Sequence, residues 1–148
     1  MVHVVNKGKA GEREVVKLLQ PIVNEVYESL RMQPPDLLRN QMQTAVGGYD
    51  ICGLPWIALE VKRQEQLSLN AWWKQVTTAC CNGEVPIVIF RQNRKKWRIL
   101  MPAWLHTGGK GHQQCRAEVD LDTFLTWFRE RCKYEAIKES ESTCLGDM

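Results

Sequence analysis

Apolar residues recur at three- and four-residue steps through Val15, Leu19, Ile22, Val26 and Leu30, with Val16, Leu18, Val23 and Tyr27 widening the stripe. That spacing predicts an amphipathic helix beginning near Ala10. Pro21 lies inside the run and predicts a kink or a division into two helices. Pro34 and Pro35 end it, and residues 37–46 read as an extended segment leading to Gly47-Gly48. Residues 50–52 then form a short strand, Gly53-Leu54-Pro55 turn material, and residues 56–62 a second, largely apolar strand, so the pair reads as a hairpin. A helix over 68–82 follows, with Leu69, Trp72, Trp73, Val76, Ala79 and Cys80 as its stripe and Gly83 as its stop. Residues 86–90 and 97–101 are buried strands by composition, joined by the basic turn 92–96. Residues 102–118 read as irregular, centred on Gly108-Gly109-Lys110-Gly111-His112. A last helix over 120–137, capped by Asp120 or Asp122, presents Leu121, Phe124, Leu125, Phe128 and Cys132 on one face. The polar stretch 138–148 reads as a disordered tail.

This pattern fits a single domain over residues 1–137, large enough to bury its apolar surface without staples. Six cysteines are present without a secretory signal, which points to free thiols and a cytoplasmic protein. A zinc site built from His112 and Cys115 with His106 and Cys132 is the minor alternative. No run of eighteen apolar residues suggests a membrane span. Net charge is +3, but residues 138–148 hold one Lys and three acids, leaving 19 basic and 14 acidic side chains and a charge of +5 on residues 1–137. The balance favours a polyanionic partner. The start of the chain, with His3, Lys7 and Lys9, reads as a basic arm that lies on phosphates or is a mobile terminus.

The chemistry concentrates between Gly48 and Lys62. Side chains alternate along a strand, so Glu60 and Lys62 share one face while Leu59 and Val61 point to the other. Folding the hairpin brings Asp50 toward the same face. Two carboxylates can hold Mg²⁺, and the ammonium can orient an attacking water. The plain alternative is a turn aspartate beside two solvated charges. Glu12 falls near the start of the first helix, on or beside its buried stripe, where it is either a dipole partner or a ligand and water-positioning group. Arg39, Asn40 and Gln43 sit just before the site, where they contact a backbone phosphate, support the acids, or form an exposed polar edge. Gln75 lies near the edge of its helix stripe, where it either hydrogen-bonds toward the site or is simply a rim residue. The glycine-rich segment at 108–112 lacks the spacing and the hydroxyl residue of a phosphate-binding Walker loop.

Three short motifs occur in order: Lys7-Gly8-Lys9-Ala10-Gly11-Glu12-Arg13-Glu14, Gly48-Tyr49-Asp50-Ile51 and Glu60-Val61-Lys62. Together they resemble the PD-(D/E)xK nuclease superfamily, and within it the archaeal-type Holliday junction resolvases and their phage relatives, over roughly residues 7–101. Tyr49 stands where many relatives carry Pro, and the segment after residue 101 has no counterpart. The resemblance implies an α/β restriction-endonuclease-like fold, a mixed central sheet flanked by helices. It also implies an active-site set of Glu12, Asp50, Glu60 and Lys62. Mg²⁺, or Mn²⁺ in its place, would then be held by Asp50, Glu60, the Val61 carbonyl and Glu12. The function so implied is a homodimeric endonuclease cutting four-way DNA junctions in the cytoplasm, the host's if the gene is a phage's. Lys7, Lys9, Arg13, Arg39, Asn40, Gln43 and Gln75 are the expected DNA contacts. The rivals are a restriction- or repair-type nuclease on linear DNA and a non-catalytic DNA-binding module.

Overall fold

The computed structural model of the chain describes residues 4–40, 50–81 and 83–146. The elements run α1 (Val4–Ser29), β1 (Leu38–Arg39), β2 (Ile51–Cys52), β3 (Ile57–Arg63), α2 (Leu69–Ala79), β4 (Val85–Arg91), β5 (Arg98–Gly108), β6 (Gly111–Asp120) and α3 (Leu121–Gly146). The strands form one mixed sheet in the order β1-β2-β3-β4-β5-β6. Only β3 and β4 are parallel, joined by a crossover through α2, and the other neighbours are antiparallel. This is the single-domain α/β, restriction-endonuclease-like architecture implied by the three motifs.

Each face of the sheet carries its own core. Ile57, Leu59 and Val61 of β3 join Ile87, Ile89 and Ile99 beneath α1 and α3. Ala58, Val88, Phe90 and Leu100 pack beneath α2. Because both faces of β3 are covered, its side chains are buried through Val61, and the polarity of Glu60 is therefore anomalous. Trp72 is buried against Phe90, with ring centroids 5.7 Å apart, and Trp73 is half-buried on the same cluster. Both indoles are accommodated in the core, so the tryptophan pair leaves no large apolar surface for a partner.

Several sequence expectations are corrected. α1 is continuous across Pro21. Pro21 is exposed, while Leu19, Ile22 and Val23 on either side of it are locked into the core, so packing holds the helix through the missing N–H. The helix also begins at Val4, so the basic segment around Lys7 and Lys9 is helical, not an arm. The stretch read as irregular after Pro102 is the outer half of a long hairpin, in which β5 and β6 stay paired out to Gly108↔Gly111. Gly108 (φ 106°) and Gly109 (φ 58°) supply the left-handed turn. The final helix does not end at Ile137 but reaches Gly146. Tyr27 Oη donates to Glu139 Oε2 at 2.9 Å, tying the extension to α1. Asp120 is the cap: its Oδ1 accepts from the Thr123 amide at 2.8 Å. Gln43 and the Gly47-Gly48-Tyr49 segment lie outside the described residues.

Candidate active site

Asp50 is fixed from three sides. Its amide donates to the Leu59 carbonyl at 3.0 Å, and its carbonyl accepts from the Asn40 amide at 2.8 Å. Its Oδ2 accepts from the Val61 amide at 2.7 Å. The side chain thereby takes the ladder position that a longer β2 would have filled. Gly53 allows the tight return: its φ is 127°, and a Cβ there would meet the Asp36 carbonyl at 2.6 Å.

The register pairs Ile51 with Leu59, which sets Asp50 opposite Glu60 on the α2 side of the sheet. Asp50 is 6% exposed and Glu60 is fully buried. Neither Glu60 oxygen accepts a hydrogen bond from any described residue. Burial first, then the negative charge of Asp50 and a hydrogen bond between the two carboxyl groups when Glu60 is protonated, push the Glu60 carboxyl up to about 8, against a smaller opposing pull from Lys62. A buried anion without a donor is costly, so near neutrality the group holds a proton or needs a cation. Two facing carboxylates, of which Glu60 has no donor at either oxygen, suit a hard divalent cation, which takes few protein ligands and several waters. Asp50 and Glu60 would hold it.

Glu12 reaches this neighbourhood through a close approach of helix to strand. Gly11 is buried, and a Cβ on it would lie 3.3 Å from Arg63 Cβ and 3.4 Å from Val61 Cγ1. Burial raises the Glu12 carboxyl; the Arg39 hydrogen bond pulls it back, and the charge of Asp50 adds to the rise. Its Oε2 accepts from Arg39 Nε at 3.0 Å, with both side chains largely buried. Arg39, expected on phosphate, is thus a clamp on Glu12. Among the described residues no three His, Cys, Asp or Glu groups converge to hold a metal, while the charge of Glu12 is felt by Glu60 and that of Asp50 by Glu12. His106, His112, Cys115 and Cys132 likewise do not come together as a zinc site, and Cys132 is buried in the main core.

The remaining expected contacts divide. Lys9 and Arg13 are exposed near Glu12 on α1, and Lys62 is half-exposed on the Glu60 face; the side chain of Lys7 is not described. Asn40 serves the site through its backbone. Gln75 is exposed on α2 and takes no part in the carboxylate pair. Glu14, which had no expected role, accepts through its carboxylate from Arg63 Nη1 at 3.2 Å and from Arg91 Nη2 at 2.9 Å. It gathers two arginines from adjacent strands at the end of the sheet where Lys62 lies. Only its place in the first motif could have flagged it. The guanidinium of Arg91 also lies 5.2 Å from the Trp97 ring centroid.

No helix among the described residues is long and apolar enough to cross a membrane. No curated protein and no solved structure matches the chain. A family model described as "Phage putative PDDEXK endonuclease" matches residues 3–126, a span holding α1, the Asp50 hairpin, the Glu60-Val61-Lys62 strand and the whole sheet, and the chain belongs to that family.

Proposed function

We propose that the protein is a Mg²⁺-dependent DNA endonuclease that resolves four-way junctions by paired phosphodiester hydrolysis, acting as a homodimer. The observation that carries the nuclease part is the Asp50–Glu60 pair: two facing carboxylates, one with both oxygens buried and undonated, two residues from a lysine on the same strand face. A divalent cation bound there supplies charge neutralisation at phosphorus and a more acidic water. Asp50 and Glu60, with the Val61 carbonyl beside them, hold it. Lys62 orients the attacking water and offsets charge developing on the phosphoryl oxygens. Glu12, steadied by Arg39, takes a hydrogen bond from that water network without being a direct ligand. Lys9 and Arg13, one turn apart on α1, meet phosphates of the flanking duplex, and Lys7, two residues before Lys9, is a further candidate contact.

The junction part rests on the resemblance of the Lys7–Glu14, Asp50 and Glu60–Lys62 motifs to the resolvase branch. It rests also on symmetry, since a junction demands two matched cuts and an isologous dimer offers two matched sites. The test compares a four-way junction, a linear duplex of equal length and single strands, each with Mg²⁺ and with chelator. The expected result is paired nicks in opposing junction strands, only with the cation. Equal cutting of linear duplex would replace the resolvase reading with a general nuclease, and no cutting of any substrate would leave a DNA-binding module.

A further inference from the structure

Past Ala103 the β5–β6 hairpin leaves the body of the protein. β4 pairs with β5 only between Val88 and Phe90, against Arg98 to Leu100, whereas β5 and β6 remain paired to Gly108↔Gly111. Every residue from Trp104 to Gln114 is exposed, with Trp104 at 61% and Leu105 at 56%. A bare two-stranded ribbon is marginal in water, so this one needs local support. At the tip, a His106 ring nitrogen donates to the Gly109 carbonyl at 2.7 Å, and the His106 and His112 rings meet edge to face at 5.4 Å. At the base, Arg116 Nη1 donates to Asn70 Oδ1 at 2.9 Å, and Arg98 grips Glu118 through two bonds of 2.8 Å. The ribbon is braced at both ends while its middle offers an indole and a leucine to solvent.

Its chemistry names the occupant. No acid occurs from residue 98 to 117, a stretch with Arg98, Lys110 and Arg116, and from Trp104 to Gln114 the charge is that of Lys110 at the tip. A polyanion is the partner such a surface suits. Two strands with their side chains span roughly 10 Å, which fits a B-form major groove about 12 Å wide. Gln113 and Gln114 project to opposite faces, and an amide side chain can pair both its donor and its acceptor with a base edge. We infer that the β5–β6 ribbon is a DNA arm that enters the major groove of the duplex flanking the cut. This rests on the reading of the protein as a DNA nuclease and extends it to the duplex away from the scissile bond. Glu60 lies in one row with Val88 and Leu100, and the ribbon continues eight residues past Leu100. At about 3.3 Å per residue the tip stands roughly 26 Å along the strands from the carboxylates, or about 8 base pairs of duplex.

Two variants test the arm. One replaces residues 104–114 with Asn-Gly, joining the paired residues Ala103 and Cys115 by a tight turn. The other keeps the ribbon and combines Lys110→Glu, Gln113→Ala and Gln114→Ala. Affinity for a four-way junction is read by fluorescence anisotropy in chelator, and contact by hydroxyl-radical footprinting. The expected result is about a tenfold loss of affinity in both variants. Protection should vanish from one patch about 8 base pairs from the cut and persist elsewhere. Wild-type affinity and an unshortened footprint in the triple variant would overturn the proposal, whether or not the trimmed chain folds. So would a trimmed protein that sediments as monomer and keeps its footprint per subunit, since the ribbon would then be a contact with a second copy. The binding readout needs no cleavage: a wild-type protein that is footprinted but cuts nothing counts against the nuclease and leaves the ribbon result standing.

Discussion

The carboxylate of Asp50 accepts a hydrogen bond from the Val61 amide at 2.7 Å, crossing from β2 to the strand that carries Glu60 and Lys62. One side chain thus both completes the sheet and faces the candidate cation site, and the two roles separate on mutation. In Asp50→Asn an amide oxygen still accepts from Val61, so folding and DNA affinity should persist while cleavage falls at least a hundredfold. Asp50→Ala should lose cleavage and also stability, by about 1–3 kcal/mol, because the Val61 N–H is left unsatisfied. Denaturant melts and single-turnover cleavage of both variants check this. Equal stability of the two, or near-normal cutting by Asp50→Asn, would remove the dual role.

Glu60 yields a pH prediction. Its folded-state carboxyl sits at about 8, above the ordinary 4.5, so across that interval the native state holds a proton that the unfolded chain releases. Its contribution to stability is complete below about 4.5 and is lost as pH rises through about 8. The melting temperature of the cation-free protein should fall over that window, and Glu60→Gln should flatten the slope. Mg²⁺ should restore stability on the alkaline side, with proton release visible as a buffer-dependent heat of binding. An identical pH slope in Glu60→Gln would assign the dependence to other groups.

Much of this site was legible because its parts are local. Asp50, the turn at Gly53 and the Glu60–Lys62 alternation lie within thirteen residues; strand periodicity puts Glu60 and Lys62 on one face, and the hairpin return brings Asp50 toward it. That Arg39 supports an acid was one of the readings its position allowed, but Glu12 as its partner was not legible, since the pair joins residues 27 positions apart and depends on how closely α1 approaches β3. The β5–β6 ribbon was missed for a different reason. Periodicity detects strands by one buried face, and past Ala103 this ribbon buries neither, so its Gly-Gly-Lys-Gly tip read as a loop. Pro21 misled in the opposite direction, because a local rule yielded to tertiary packing on both sides of it.

Gly11 sets how near α1 comes to the site. A Cβ at 3.3 Å from Arg63 Cβ is already tight, and a larger side chain must push the helix away from β3. Gly11→Leu should therefore cost about 1–3 kcal/mol as overpacking, and should reduce cleavage by displacing Glu12. Arg39→Ala makes a complementary case. It leaves α1 in place but removes the partner of a largely buried carboxylate, so Glu12 takes up a proton at higher pH. Its cleavage should recover toward wild type as pH is raised, whereas that of Gly11→Leu should not. Parallel pH–rate profiles for the two variants would show that Glu12 acts through neither its position nor its charge.

Paired cutting by a dimer makes the last prediction. If each subunit supplies one complete set of Asp50, Glu60 and Lys62, a mixed dimer with Glu60→Gln in one subunit holds a single competent site. Such a dimer should still bind a four-way junction, because the substitution takes no positive charge from the DNA surface. It should then nick one strand per binding event and leave the opposing strand whole. Resolution on a supercoiled cruciform distinguishes the outcomes, since two nicks within one encounter give a linear product and a single nick gives a relaxed circle. Increasing the variant fraction in a refolded mixture should shift product from linear to nicked circle, following the statistical share of mixed dimers. A yield of linear product that falls only in proportion to the remaining wild-type chains would mean that the sites act as independent monomers. The symmetry argument for a junction substrate would then lose its footing, while the assignment of Asp50 and Glu60 would be untouched.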